Sequence, residues 1–117
     1  MAAESTPPAW AWLLLVPLLL SPGLVYALRG STGTDPALAA VGAQVFRTKG
    51  CIGCHRIDGE GSDVACDLDR VGRRRNKGWL MLWLGDPSAV RPGTPMPDPH
   101  LSHAEVVALA EFLARRI

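Results

Sequence analysis

The sequence has no large excess of charge of either sign. Its 117 residues include twelve Lys and Arg against eleven Asp and Glu, for a formal net charge of +1, so nothing in this balance favours a nucleic-acid partner. Only 20% of the residues are charged and 48% are hydrophobic, which excludes disorder as the main state. Cysteine is scarce and odd in number, at three, so a pure disulfide framework is excluded. A domain this small usually needs disulfides, a metal or a covalent cofactor, and we therefore expect a cofactor.

Basic residues are absent before Arg29, and Ala9 to Leu28 has no charged residue. This apolar run has about the length that a helix needs to cross a bilayer. We interpret residues 9–28 as a transmembrane anchor after a tail at 1–8. The alternative is a cleaved signal peptide with its apolar part at Ala9 to Leu20 and a cleavage site at Val25 to Ala27, but its tail lacks the expected Lys or Arg. Either interpretation places the rest of the chain outside the cytoplasm.

Residues 29–34 have the composition of a linker, and residues 35–117 are predicted to form one small all-α domain. Asp35 and Pro36 predict the start of a helix that runs to Thr48. A second, short apolar helix is predicted at 79–84. A capping box predicts a third helix from Ser102. The first helix is apolar at a helical spacing, at Leu38, Val41, Val45 and Phe46. The third helix has one apolar stripe that is expected in the core, formed by Val106, Leu109, Ala110, Leu113 and Ile117, and Arg115 and Arg116 are expected in its last turn.

The segments between these helices are predicted to be irregular. Residues 51–63 are rich in glycine and are predicted to form a loop, the basic stretch 68–77 is expected to be helical in part, and the proline-rich stretch 88–99 predicts no regular structure. No strand and no internal repeat are predicted.

The informative motif is Cys51-Ile-Gly-Cys54-His55. Two thiols separated by two residues can each add to a vinyl group on one porphyrin edge, and the imidazole that follows is placed to bind the iron. This is the attachment pattern of c-type haem. A structural zinc site made of Cys51, Cys54, Cys66 and a histidine is an alternative, but its spacing is irregular and it leaves the later methionine loop unexplained.

Met96, in the sequence Pro92-Gly-Thr-Pro-Met-Pro, is the expected second axial ligand. A thioether in a proline-stiffened loop is a soft ligand, and His/Met ligation favours electron transfer and raises the reduction potential. Met81 is a rival, although its apolar helical surroundings favour a place in the core. His100 and His103 are the others, and His103 is expected on a solvated helix face.

Taken together, these motifs make the chain resemble a class I, mono-haem cytochrome c of the membrane-tethered bacterial type. The resemblance covers about residues 35–117. Over this range the chain is similar to the cytochrome c domain of haem–copper oxidase subunit II and to free-standing anchored cytochromes c. Its motifs are Gly42-x-x-x-Phe46, Cys51 to His55, Asp67-Leu68 with Val71-Gly72, Trp83-Leu-x-Asp86-Pro87, Pro92-Gly-Thr-x-Met96-Pro and the 101–113 segment with Phe112.

The resemblance implies that the first and last helices cross closely at Gly42, with Phe46 and Phe112 near the crossing. It also implies that the backbone carbonyl two residues before Leu68 accepts the Nδ1 proton of His55. The sequence departs from the family here, because Ala65-Cys66 stands where Gly-Pro is usual, and the rigidity of the proline is lost.

Two features have more than one interpretation. Cys66 is expected to be a small buried residue, with an intermolecular disulfide or a redox role as the alternative. The basic residues of 70–77 are a solvated face, partners of the haem propionates or a docking surface for an acidic partner. The candidate propionate contacts are Arg73, Arg74, Trp79 and Trp83.

The predicted function is that of a one-electron carrier with one covalent haem c, attached through the sulfurs of Cys51 and Cys54 and ligated at iron by His55 and Met96. It is expected not to be an enzyme itself. The expected partners are membrane electron-transfer complexes: a quinol-oxidising complex, a haem–copper oxidase or nitric oxide reductase, or a photosynthetic centre. The predicted location is the bacterial inner membrane, with one span and the haem domain on the periplasmic side. The alternative function is a haem-based gas sensor or haem enzyme with a labile sixth ligand.

Overall fold

Local caps set the bounds of the helices in the computed structural model, which describes residues 8–10 and 34–117. Helix α1 covers Pro36–Thr48, and the Asp35 carboxylate accepts hydrogen bonds from the backbone N–H groups of Ala37 and Leu38 at 2.9 and 3.2 Å. A 3₁₀ turn follows at Cys51–Gly53. The predicted N-cap at Asp35 is confirmed.

The remaining elements follow in chain order. Strands β1 (Arg56–Ile57) and β2 (Glu60–Gly61) pair antiparallel. Helices α2 (Val71–Arg74), α3 (Lys77–Gly85) and α4 (Pro87–Val90) come next, and α5 (His103–Ala114) is last. The predicted capping box is present at the start of α5, where Ser102 and Glu105 exchange side-chain and backbone hydrogen bonds.

Most of residues 9–28, which we interpret as a transmembrane anchor, lies outside the described residues. Residues 1–7 of the tail and residues 29–33 of the linker also lie outside them. Within 8–10 and 34–117 there is no helix of the length and hydropathy that a membrane span requires. Residues 34–117 form a unit of their own.

The central packing of this unit is the crossing of α1 and α5 at Gly42. A Cβ built on Gly42 would fall on the Ala108 carbonyl oxygen and 2.7 Å from the Cβ of Phe112, so only glycine allows this approach of the two backbones. The rings of Phe46 and Phe112 lie beside the crossing with their centroids 6.1 Å apart. Both expectations drawn from the family resemblance are confirmed.

Helix α3 packs on α5 through Leu80 and Leu84, which are buried in the same core as Leu109. One buried ion pair reinforces this contact. The Glu111 carboxylate, only 5% exposed, accepts a hydrogen bond from Lys77 Nζ at 2.6 Å and another from the Asp35 backbone N–H at 3.0 Å. Glu111 therefore joins α5 to α3 and to the start of α1.

The predictions of no strand and of an irregular stretch at 88–99 are wrong. Residues 51–63 contain the hairpin β1–β2, because Asp58 and Gly59 both take positive φ values, of 52° and 77°, in a tight turn between the strands. The stretch 88–99 begins inside α4, which Asp86 caps at its N-terminus.

Two positions of these apolar helical patterns lie outside the core. Val41 is 50% exposed because α1 buries the face that carries Ala39, Gly42, Val45 and Phe46. Ile117 is 74% exposed because α5 ends at Ala114, before the predicted stripe is complete. Arg115 is accordingly the C-cap, and Arg116, beyond the helix, pairs with Asp58.

Candidate functional site

The two motif cysteines lie on one turn directly after α1. Gly50, with φ of 77°, ends the helical path, and the Cys54 and His55 backbone N–H groups both donate to the Cys51 carbonyl, at 3.2 and 2.9 Å. Side chains three residues apart lie on the same side of a 3₁₀ turn, so the two thiols can meet one rigid partner. Both are free thiols, with Cys51 half-buried against the core and Cys54 exposed.

Burial raises the pKa of the Cys51 thiol, and the neighbouring Cys54 raises it further against a lowering backbone hydrogen bond. Cys51 therefore stays protonated at neutral pH in the absence of an activating partner.

His55 is oriented by a backbone carbonyl. Its Nδ1 lies 2.7 Å from the Cys66 oxygen, and because a carbonyl only accepts, Nδ1 carries the proton. In the tautomer that this bond favours, Nε2 is the ring nitrogen with a lone pair for a metal, and such a bond is the usual support of a metal-binding histidine. The carbonyl two residues before Leu68 was expected to do this, and the expectation is confirmed despite the missing proline.

The loop that supplies this carbonyl is anchored on both sides. The Ala65 N–H donates to the Cys54 carbonyl at 2.8 Å and the Leu68 N–H to the Arg56 carbonyl at 2.9 Å, while the Leu68 side chain is buried. The prediction that Cys66 is buried is wrong: the residue is exposed, with Sγ 3.8 Å from His55 Nδ1. The contact of this residue with the site runs through its carbonyl, which leaves the thiol outside the core.

Met96 lies half-buried against the hydrophobic core. Its Sδ atom accepts a hydrogen bond from Trp83 Nε1 at 3.0 Å, and its backbone N–H donates to Thr94 Oγ1 at 3.3 Å. The loop turns at Gly93, where φ is 78°. A thioether held by an indole, a hydroxyl and a proline-rich backbone has a defined position, as an axial ligand requires.

The alternative axial ligands, Met81, His100 and His103, lie in surroundings that differ from those of Met96. Met81 packs against the core from α3, as expected. His100, with φ of 49°, is exposed and has Nδ1 3.5 Å from the Asp98 carboxylate. His103 is exposed at the start of α5, as expected.

The candidate propionate contacts lie on α2 and α3. Arg73 is exposed, and Arg74 Nη2 donates to the Asp67 carbonyl at 3.0 Å. Trp79 and Trp83 are stacked, with ring centroids 5.3 Å apart and planes 12° apart. The Trp83 indole N–H donates to Met96 Sδ. The propionate role of all four residues stays a prediction.

Arg75 belongs to the basic stretch noted in the sequence, but sequence reasoning missed its contact with Trp79. The Arg75 guanidinium lies 4.2 Å from the centroid of the Trp79 ring. Arg75 has extended backbone and precedes α3, which begins at Lys77, so no helical spacing predicts this contact.

The donor set fits a haem and does not fit zinc. Two thiols on one turn, an imidazole with Nε2 available and a fixed thioether match the covalent and axial needs of haem c. Over residues 8–10 and 34–117, no three of the His, Cys, Asp and Glu side chains come together as a metal site would need, so the zinc alternative has no support there.

Comparison with known proteins agrees with this chemistry. The family model described as cytochrome c matches residues 39–116. The chain is 33% identical over 91 residues to cytochrome c oxidase subunit 2 of Bacillus subtilis (strain 168), covering 65% of this chain and 26% of that protein. It is 37% identical over 78 residues to a nitric oxide reductase subunit of Stutzerimonas stutzeri, covering 62% of this chain and 53% of that protein.

The chain thus spans about a quarter of the length of the oxidase subunit and about half that of the reductase subunit. The family match covers well over half of the chain and contains both the cysteine motif and Met96. From this match and the fit of its donor residues, the chain belongs to the cytochrome c family, and its cofactor is a covalently bound haem c.

Proposed function

We propose that this chain carries single electrons as a cytochrome c subunit or tethered carrier of a membrane respiratory complex, with His55 and Met96 as the axial ligands of its haem. The haem, when bound, supplies a one-electron ferrous/ferric couple. The observation that carries the proposal is the hydrogen bond from His55 Nδ1 to the Cys66 carbonyl, which orients the ring and frees Nε2.

The protein residues perform three tasks in this function. Cys51 and Cys54 attach the group covalently at a fixed place beside α1. The Cys66 carbonyl holds the His55 ring, and the 92–97 loop presents the Met96 thioether. His55 and Met96 would together hold the iron and would leave no open site for oxygen or peroxide, which favours electron transfer over the chemistry of a haem enzyme or gas sensor.

The ligation is tested by the ferric absorption spectrum and by carbon monoxide binding to the ferrous protein. The wild type is expected to show the charge-transfer absorption of a thioether-bound ferric haem and to resist carbon monoxide. Met96→Ala should lose that absorption and bind carbon monoxide readily, because it opens one axial position. Met81→Ala is the matched control and should keep both wild-type properties.

An unchanged spectrum in Met96→Ala, together with ready binding of carbon monoxide by the wild type, would contradict the assignment. That result would favour the gas-sensor or haem-enzyme alternative.

The proposed docking of the chain to an acidic partner protein rests on an arginine cluster, defined as Arg70, Arg73, Arg74 and Arg75. All four are exposed, and within residues 34–117 none of them forms an ion pair with a carboxylate, unlike Arg56 or Arg116. Positive charges that no nearby carboxylate neutralises are available to an acidic surface, and such attraction speeds association most at low salt.

Two of the relatives suggest the acceptor complex. The matched proteins are subunits of a cytochrome c oxidase and of a nitric oxide reductase, so a terminal oxidase or reductase of this kind is the proposed acceptor. A quinol-oxidising complex is the proposed donor, and a photosynthetic centre is the remaining expected partner.

Neutralising the arginine cluster provides the test. Arg73→Gln with Arg75→Gln should slow electron transfer to the acceptor complex at low salt and reduce its salt dependence, because both rest on long-range attraction. Arg56→Gln is the control, since Asp63 already neutralises that arginine at 3.5 Å. Equal salt dependence in the double variant and the wild type would exclude the cluster as the docking surface.

We place the haem domain on the periplasmic side of the bacterial inner membrane, with residues 9–28 as the span. The uncharged run supports this, as does the extracytoplasmic location of thioether attachment. Purification from native membranes in mild detergent tests the assembly. Co-migration with a larger complex would identify a subunit, a small red band alone would identify a carrier, and haem protein recovered without detergent would exclude the anchor.

A further inference from the structure

An open groove of about 660 Å³ lies between α3 and α5. One face of α3 lines it with Gly78, Met81, Leu82 and Gly85, and Leu101 and Val106 line it from the side of α5. We propose that this groove receives an apolar helix of a membrane-embedded partner subunit. The inference rests on the proposed function of the chain in a membrane respiratory complex.

The lining of the groove favours an apolar partner. It contains no Lys, Arg, Asp or Glu, and His103 is the one polar side chain that residues 34–117 contribute to it. Leu82 is 68% exposed, although burial of a side chain of this size is favourable. The groove therefore differs in chemistry from the arginine cluster, and its occupant is expected to be apolar.

Two glycines of α3 leave room for a second helix to approach closely. Gly78 and Gly85 are seven residues apart, about two helical turns, and neither has a positive φ. A Cβ on Gly85 would meet nothing within 4 Å, and one on Gly78 would meet only Asn76 Oδ1 at 3.5 Å. Alanine is preferred to glycine in a helix, and no contact within residues 34–117 requires glycine at either position. Small residues of this kind let the backbone of a partner helix come near.

The start of the domain lies beside this groove. The Asp35 backbone N–H and Lys77 Nζ both donate to the Glu111 carboxylate, at 3.0 and 2.6 Å, and Gly78 follows Lys77 at the end of the groove. The linker 29–34 joins this point to the proposed span, and a linker of that length reaches at most about 20 Å. A tether this short would keep the groove near the membrane, where a membrane-embedded subunit can reach it at high effective concentration.

The shape of the groove favours a helix over the surface of the bilayer. A helix has protruding side chains at every third or fourth residue, and these insert into a groove between two other helices. A bilayer surface has no such protrusions. Filling the groove should therefore weaken the binding of a helix. Contact with lipid should not weaken, because a larger apolar side chain adds buried area.

Photo-crosslinking in native membranes tests this inference on the whole chain with its haem. The crosslinking amino acid p-benzoylphenylalanine is placed at position 82 in the groove. Position 41 is the matched control, because Val41 is also apolar and exposed, at 50%, but lies on α1 outside the groove. We expect position 82 to give a product with one membrane-embedded subunit, in which mass spectrometry finds the attached peptide in an apolar helix. Position 41 should not give this product.

A second substitution tests the fit of the helix in the groove. Gly85→Leu adds a side chain that occupies the groove, and the open space around Gly85 allows it without a contact inside the domain. The crosslinked product from position 82 should fall about tenfold, the order expected when one buried side chain of leucine size loses its place. Ala40→Leu adds the same side chain at an exposed position of α1, and it should leave the yield unchanged.

Several results would overturn the inference. These are phospholipid adducts in place of a protein product at position 82, a crosslink to a second copy of this chain, equal products from positions 82 and 41, no product at all, or a product that Gly85→Leu does not reduce. The proposed function is tested separately. Absence of the thioether absorption in the same holoprotein would refute the ligation by Met96 and would leave the crosslink unchanged.

Discussion

Replacing Gly42 by alanine should destabilise the domain more than any other single added methyl group at its helix crossing. The new Cβ would fall on the Ala108 carbonyl oxygen and lie 2.7 Å from both the Ala108 carbonyl carbon and the Phe112 Cβ. Two of these three atoms are backbone, so no change of rotamer relieves the contact. The two helices must separate, and the packing of Phe46 on Phe112 is lost with them.

The size of the effect follows from two opposing terms. Overpacking in a core costs about 1–3 kcal/mol, and a backbone contact belongs at the upper end. Alanine is preferred to glycine in a helix by about 1 kcal/mol, which offsets part of that cost. The net loss at Gly42 is then about 2 kcal/mol, which corresponds to a fall of about 8–16 °C in Tm for a domain of this size.

Thermal unfolding of the holoprotein, followed by circular dichroism, measures this fall. Gly78→Ala is the control, because a Cβ there would meet only Asn76 Oδ1, at an ordinary 3.5 Å, and α3 should gain slightly in stability from the change. A Gly42→Ala protein as stable as the wild type, or shifted like Gly78→Ala, would show that the helices do not approach as closely as described.

Three further predictions concern single contacts. Lys77→Met should cost about 1–3 kcal/mol in denaturant unfolding, because it removes the 2.6 Å partner of the buried Glu111 carboxylate; adding Glu111→Gln should recover part of the loss, and full additivity would argue against the pairing. A hydrogen bond from the Ser102 backbone N–H lowers the pKa of Glu105, and Lys49 lowers it further. The ionised Glu105 therefore contributes fully to stability above the unfolded pKa of about 4.3, and this contribution is lost as pH falls through the lower folded pKa. Glu105→Gln should flatten the acid side of the plot of stability against pH, and an unchanged slope there would count against this contribution of Glu105. Cys66→Ser should leave the covalent haem content intact, measured as absorbance per protein mass, since the site uses the carbonyl of that residue and not its thiol; loss of haem would restore an essential role for the sulfur.

The parts of the fold that the sequence predicts well are those set by near neighbours in the chain. The Asp35 N-cap and the Ser102 capping box depend on residues no more than three apart, and both are present. The turn at Asp58-Gly59 is equally local and could have been predicted, since this dipeptide is a strong signal for a two-residue hairpin loop. The strands beside it are only two residues long, however, and so carry no alternating pattern.

The features that could not be predicted from the sequence depend on contacts between residues that are far apart in the chain. Glu111 lies on an apolar helix face, and only the folded chain brings Lys77, 34 residues earlier, to its carboxylate. Cys66 was expected in the core because free cysteines are usually buried. Its exposure follows from Leu68, whose burial and backbone hydrogen bond fix this loop with the Cys66 carbonyl turned to His55.

Helix α3 shows which part of the functional site could not be predicted from the sequence. Its helical period alone places Leu80 with Leu84 on one face and Trp79 with Trp83 on another, and the structure agrees, with the leucines buried and the indoles stacked. The period cannot say which face meets the methionine loop, because that depends on the turn at Gly93 and on packing far along the chain. The same helix thus buries one face in the core and, from the other, donates the hydrogen bond of Trp83 to the Met96 sulfur.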